Sequence, residues 1–387
     1  MRVLITVLAL WCAGLGAAAQ FGKVSFALDL FAGRYPLAGP VALGLIVSVV
    51  GLVGLVFGTT AGLLVARIGP RRAIVAALAL GAGMSALQVI DLPYALLIAT
   101  RIVEGFSHLS IVVVGPTMIA GVTPARHQGL AMTLWSSFFG VTYAVLALVA
   151  PALLAGGGAG PLYLGHALWM GVLALGLRAL LPPDPPAPAL SSGGGILAQH
   201  ASIYASPRVA APALGFVNYT AIYVAVLTLL PPLMPPAQVA VAAAGMPLVS
   251  IALSLTLGVW ALRHVSAVTL VQAGFAAGAL SVLALWALWG QGLWMLSAAL
   301  VFAGAMGIVQ GASFASIPQL NDTATDRARA SGAVAQLGNL GTTTGTPVLA
   351  FLIARMGEGG VLAFALPLCL IGIAVHLWLA RRRALSA

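Results

Sequence analysis

The sequence predicts an all-α polytopic membrane protein of twelve transmembrane helices, arranged as two six-helix halves related by a parallel pseudo-twofold repeat. Three observations carry this. Of 387 residues 61% are apolar and only 6% charged, against roughly 25% charged in an ordinary soluble domain. The apolar runs extend from end to end and are cut by charges, prolines and glycine clusters into lengths near the ~20 residues that cross a bilayer. Short motifs recur about two hundred residues apart. So few charges cannot cover a soluble surface, which excludes a soluble enzyme, a disordered chain and a fibrous protein. The net charge of +10 is read as arginines anchoring cytoplasmic loops, with no nucleic-acid partner.

In order, the spans fall near 3–29, 39–65, 73–91, 93–121, 129–154, 162–181, 209–232, 238–261, 266–289, 293–317, 332–355 and 361–380. Each is helical, since an open strand edge in lipid leaves backbone groups unpaired, and none alternates as a barrel strand does. The first span has a second reading. Its basic start, apolar stretch and small-residue run Gly16-Ala17-Ala18-Ala19 resemble a signal peptide, but apolar character resumes after Gln20 and reaches Leu30. The segment 182–208, opening Pro-Pro-Asp-Pro-Pro, separates an N-terminal half (1–181) from a C-terminal half (209–387), and Ile196 to Ala205 within it reads as a short interfacial helix. Cys12 and Cys369 lie in apolar runs with no metal or disulfide spacing.

Twelve spans place both termini on one side. That side carries thirteen arginines: Arg2, Arg67, Arg71, Arg72, Arg126, Arg178, Arg208, Arg263, Arg327, Arg329, Arg381, Arg382 and Arg383. The other carries Arg34 and Arg355. The positive-inside rule makes the termini cytoplasmic.

The repeat has three matches in order. Gly62-x4-Arg67 and Gly258-x4-Arg263 end the second and eighth spans; Gly105 and Pro116 match Gly307 and Pro318 in the fourth and tenth; Arg126-x-x-Gly129 matches Arg329-x-x-Gly332 in the loops that follow. An even number of helices per unit gives both halves one orientation, the parallel repeat of a large transporter class. The loop Gly62 to Arg72, G-L-L-V-A-R-I-G-P-R-R, and the fourth-span run Arg101-Ile102-Val103-Glu104-Gly105 resemble the major facilitator superfamily. Its loop signature is G-x-x-x-D-R-x-G-R-R; Gly62, Arg67, Gly69, Arg71 and Arg72 fit it or fall within one position of it. Ala66 replaces the usual Asp, which in the family locks the cytoplasmic gate. Phe21-Gly22-Lys23 with Arg101 and Glu104-Gly105 is similar to the cyanate-permease-like branch. Of the family's exporter signature on the fifth span only Pro151 survives.

A charge at the bilayer centre costs roughly 2.5–3.5 kcal/mol on insertion scales. Lys23, the chain's one lysine, Arg101 and Glu104 sit within spans at depths of roughly 10, 12 and 16 Å from the outer ends. Arg101 and Glu104 share a helix face, which His108 extends inward. One reading is a salt bridge that only holds helices together. The other is a transport cavity in which Glu104 exchanges protons and pairs with one cation while the other binds substrate, since two cations against one carboxylate leave a net positive charge for an anion to neutralise. The second half offers neutral polarity instead: Asn218, Tyr219, Thr220 and Tyr223 on the seventh span, and Gln310 and Ser313 on the tenth. The resemblance implies that these spans line the cavity; interhelical hydrogen bonding is the plainer role. His166 and His376 read as lone structural histidines near span ends. Glycine stripes, Gly51, Gly54, Gly58 and Gly62 on the second span and Gly338, Gly341 and Gly345 on the eleventh, read either as sliding contacts, on helices that in the family meet across the halves, or as static packing.

The expected function is secondary active transport of a small solute, an organic or inorganic anion, across the cytoplasmic membrane by alternating access, coupled to protons or exchange. Gly62, Arg67, Gly69, Arg71, Arg72 and Arg263 would form the gating loops. No Walker motif, cofactor or metal cluster is expected, and the chain is expected to be monomeric. The alternatives are a drug or metabolite exporter of the same fold and a non-transporting receptor or assembly factor. An embedded enzyme is disfavoured, since Glu104, Ser107 and His108 have no known catalytic spacing.

Overall fold

The computed structural model describes residues 2–124, 127, 131, 134–184 and 196–385. Those residues contain helices and no strand. Among them nine helices are long and apolar enough to cross a bilayer by length and composition, or ten when the bent pair Pro40–Ser48 and Gly51–Phe57 counts as one. The protein is an all-α polytopic membrane protein. Pro70–Leu87 and Ala324–Met356 stand where the third and eleventh spans are expected. Arg71 and Arg72 in the first, and Gln336, Asn339 and Thr342 to Thr344 in the second, lower their apolar character.

The chain divides into two compact units, Met1–Ser192 and Gly193–Ala387. In the first, α1 (Arg2–Ser25) ends in a turn before α2 (Leu28–Arg34). Lys23 therefore lies in the last turn of its helix, not seven residues inside a continuous one. The Ser25 hydroxyl donates to the Phe21 carbonyl at 3.1 Å, a back-bond that competes with the helical ladder. The small-residue run read as a cleavage site lies inside α1, with Gly16 against Met170 and Trp169. The second span comes in three pieces, α3 (Pro40–Ser48), α4 (Gly51–Phe57) and α5 (Ala61–Ile68), and bends by 65° between the first two. Glycine at 51, 54 and 58 weakens a continuous helix there. Then follow α6 (Pro70–Leu87), α7 (Tyr94–Val122), α8 (Phe138–Gly157) and α9 (Gly160–Leu180). Helix α1 packs against α7, α8 and α9, and α6 against α7 and α9.

Asp184, just past α9, caps α6. Its Oδ1 accepts from the Arg71 amide at 2.7 Å and its Oδ2 from the Arg72 amide at 3.0 Å, satisfying two of the first-turn donors that a helix leaves open. The carboxylate is 4% exposed. Gly69 sits at φ +93°, where a Cβ would overlap that carboxylate, so both backbone and space require glycine. We expect Asp184→Ala to cost about 0.5–2 kcal/mol, read as a lowered Tm in detergent. Asp184→Asn, which keeps one acceptor, should lose less.

In the second unit α10 (Ile196–Ala205) precedes α11 (Ala211–Leu229), α12 (Pro236–Ala261), α13 (Ala267–Ala287), α14 (Leu293–Leu320), α15 (Ala324–Met356) and α16 (Gly359–Leu385). Helix α12 loosens into a π turn at Ser254–Gly258. The glycine stripe on α15 packs against α11 of its own unit. A Cβ at Gly341 would overlap the Thr220 hydroxyl and lie 2.5 Å from the Val217 carbonyl, and one at Gly345 would overlap the Ala221 carbonyl. These glycines are thus committed to close static packing.

The repeat recurs as a packing detail within each unit. In α7, a Cβ on Gly105 would lie 2.5 Å from the Val50 carbonyl; in α14, one on Gly307 would overlap the Ser250 carbonyl. Each glycine lets its helix rest on the backbone of an earlier span. Pro116 and Pro318 lie inside the same two helices. Arg126 and Gly129, half of the third match, lie outside the described residues.

Candidate functional site

An ion in the apolar core needs a partner for each charge and each remaining donor. Helices α1, α6, α7 and α9 meet this need around Glu104. Lys23, Arg101 and Glu104 are all 0% exposed. The Lys23 ammonium donates to Glu104 Oε1 at 2.6 Å and to Ser85 Oγ at 2.5 Å, lies 3.4 Å from His166 Nδ1, and stands 4.8 Å from the centre of the Tyr163 ring. Glu104 Oε2 accepts from Arg101 at 2.5 Å and from the Gln88 amide at 3.3 Å. Gln88 also donates to Thr100 Oγ1 at 3.0 Å. The structure brings Lys23, Arg101 and Glu104 together, but Glu104 pairs with both cations and not with one of them as expected, because each of its two oxygens takes a separate donor.

Arg101 does more than balance charge. Its Nε donates to the Ile46 carbonyl at 2.9 Å and a terminal nitrogen to the Val47 carbonyl at 3.0 Å. Those two carbonyls precede the 65° bend in the second span, where the helical ladder stops. The planar fork of the guanidinium suits two carbonyls and a carboxylate at once. In this conformation Arg101 is spent on the protein itself.

His166 is not a lone histidine. Its Nε2 meets the Gly16 carbonyl at 2.9 Å, and a carbonyl only accepts, so Nε2 carries the hydrogen. In the neutral ring Nδ1 then accepts, and Ser85 Oγ lies 2.7 Å from it. His108 likewise donates from Nδ1 to the Ala17 carbonyl at 3.1 Å and packs edge-on to Phe21. Gln20 donates to Ser107 Oγ at 2.9 Å beside them.

The second unit holds no comparable charge among its described buried residues. The Asn218 amide turns back to the Leu214 and Gly215 carbonyls of its own helix. Tyr219 stacks between Phe216 and Tyr223, its buried hydroxyl without a partner among the described residues. Gln310 lies on α14, and Ser313 Oγ is buried without a partner there. His376 is fully buried with neither ring nitrogen bonded among the described residues, close against Gly215.

Of the loop residues, Gly62 and Arg67 belong to α5, Gly69 makes the turn, Arg71 donates to the Arg178 carbonyl at 2.5 Å, and Arg72 is exposed near Asp184. Arg263 lies in the exposed turn after α12. The side-chain surroundings of Gly62 and Ala66 lie outside the described residues.

Ser85, Gln88, Tyr163 and His166 escape the sequence reading because neutral residues on different spans share no linear pattern. Depth is a partial signal for two of them: on the expected spans Ser85 lies six residues from the outer end of the third, about 9 Å, and His166 four residues from that of the sixth, about 6 Å, near the depth expected of Lys23. A family model described as Major Facilitator Superfamily matches residues 6–235. No curated protein matches the chain.

Proposed function

The chain belongs to the major facilitator superfamily and is a membrane transporter of that family; from this premise we propose that it carries a small anion across the cytoplasmic membrane by alternating access, driven by protons. One observation supports the anion: two cations and a single carboxylate, all fully buried, leave one excess positive charge in this buried cluster of the first unit. A buried excess charge is expensive without a function. Lys23 is the cation that faces solute, because Arg101 is occupied by backbone carbonyls. Glu104 is the group that takes up the proton. His108 flanks the charged cluster, and Asn218, Tyr219, Tyr223 and Gln310 are proposed as polar solute contacts of the second unit taken by itself. The termini lie in the cytoplasm, as the arginine bias requires.

The test is flux into proteoliposomes under an inward proton gradient, with acetate, nitrate, phosphate, cyanate and the cation choline as probes. Cyanate tests the branch that the first-span residues resemble. We expect at least one anion to move and choline not to. Lys23→Met leaves Glu104 paired with Arg101 and should fold; its anion flux should fall about tenfold or more, equivalent to roughly 1.4 kcal/mol. Wild-type flux in that variant, or no anion moved by the native protein, defeats the reading.

A further inference from the structure

The surroundings of Glu104 resemble a binding site that is already filled. One carboxylate oxygen takes the Lys23 ammonium at 2.6 Å; the other takes Arg101 at 2.5 Å and the Gln88 amide at 3.3 Å. Donors thus converge on two separate oxygens of one planar group. We propose that the Glu104 side chain stands where a substrate carboxylate docks, and that the solute is a small monocarboxylate that enters with one proton. The inference rests on the reading that an anion binds at Lys23, and it adds the chemical class, the stoichiometry, the displacement and, as a second donor, the one Arg101 nitrogen that now meets Glu104.

Charge counting supports the pairing of anion with proton. In the closed cluster two cations face one carboxylate, a net charge of one. A proton on Glu104 together with one monoanion between the cations leaves the same net charge. The incoming anion inherits a desolvated cradle, so no new charge is stranded in the apolar core. A proton alone would leave two cations facing no anion, and an anion alone would set two carboxylates against each other. Each species therefore favours entry of the other.

Two oxygens on two differently placed donors also select shape. Arg101 is held by the Ile46 and Val47 carbonyls independently of Glu104, so its remaining nitrogen presents a fixed direction to any replacement for the carboxylate. A spherical chloride has no pair of oxygens to divide between these donors. A carboxylate reproduces the observed pattern, with Gln88 as its third donor.

The single lysine makes the test direct, because lysine labelled with 15N at Nζ gives one signal, from Lys23. In Glu104→Ala, in lipid nanodiscs, acetate should fill the space left by the side chain. We expect the Lys23 ammonium resonance to return toward its wild-type position and acetate to bind about tenfold tighter than to the native protein, with chloride at the same ionic strength doing neither. Glu104→Gln covers the case in which the alanine variant fails to fold. Its acetate binding should be independent of pH from about 8 to about 6, whereas native binding, which takes up one proton with each anion, should strengthen as the pH falls over that range. Equal responses to chloride and acetate, or a native affinity that does not change with pH, overturn the proposal. Anion flux in the native protein with no acetate response in either variant removes this proposal alone. An acetate response without any native anion flux removes the transport reading and leaves the carboxylate cradle standing.

Discussion

Arg101→Met should be the most damaging single change in the first unit. It removes the charged donor of one Glu104 oxygen, leaving only the Gln88 amide there, and leaves the Ile46 and Val47 carbonyls without the guanidinium that takes them at the bend. Removing one partner of a buried pair costs about 3–5 kcal/mol, and each buried carbonyl left without a donor adds about 1–3 kcal/mol unless the backbone rearranges. The expected result is little folded protein in detergent. In the part that folds, hydrogen exchange should slow at the Val50 and Gly51 amides as the ladder closes across the bend. Arg101→Lys keeps the charge but loses the fork and should be intermediate. Normal yield and unchanged exchange in Arg101→Met would remove its role as the pin of the bend.

Gly341→Leu should be as severe in the second unit, for a steric reason. The first added carbon already overlaps the Thr220 hydroxyl and lies 2.5 Å from the Val217 carbonyl and 2.7 Å from the Ala221 amide. Those last two are backbone and cannot swing away. Overpacking a well-packed core costs typically about 1–3 kcal/mol; here α11 and α15 must separate, so the upper end or beyond is expected. Gly338→Ala is the control, since its nearest neighbours are edges of the Phe216 ring at 3.2 and 3.4 Å, which can turn. Thermal melts of the two purified variants make the comparison, and equal Tm values would show that α11 and α15 are not in tight register.

The sequence made the fold class and the three buried charges legible for one reason. Charged residues are rare in this chain, so Lys23, Arg101 and Glu104 stand out against apolar runs without any knowledge of the fold. What the charges touch was hidden. Ser85, Gln88 and His166 are ordinary polar residues on helices α6 and α9 or at their edge, and only tertiary packing brings them to Lys23 and Glu104. The break in the second span was obscured by its continuous hydrophobicity, which cannot distinguish a straight span from α3 and α4 at 65°. The glycine stripe on α15 was visible as spacing, but spacing does not name the partner; contact with Val217, Thr220 and Ala221 does.

Asp184 has a practical consequence for dissecting the chain. It follows α9 in sequence, yet its carboxylate completes the start of α6, 113 residues earlier at Arg71. A protease site, reporter insertion or split between coexpressed fragments that falls before residue 184 would remove the cap from the piece that needs it, and an apparent loss of transport would then report a frayed third span. The same cut placed a few residues later, at 187–192, keeps Asp184 with its helix. The useful boundary of the N-terminal fragment is therefore set by a hydrogen bond, several residues beyond the end of the last helix it contains.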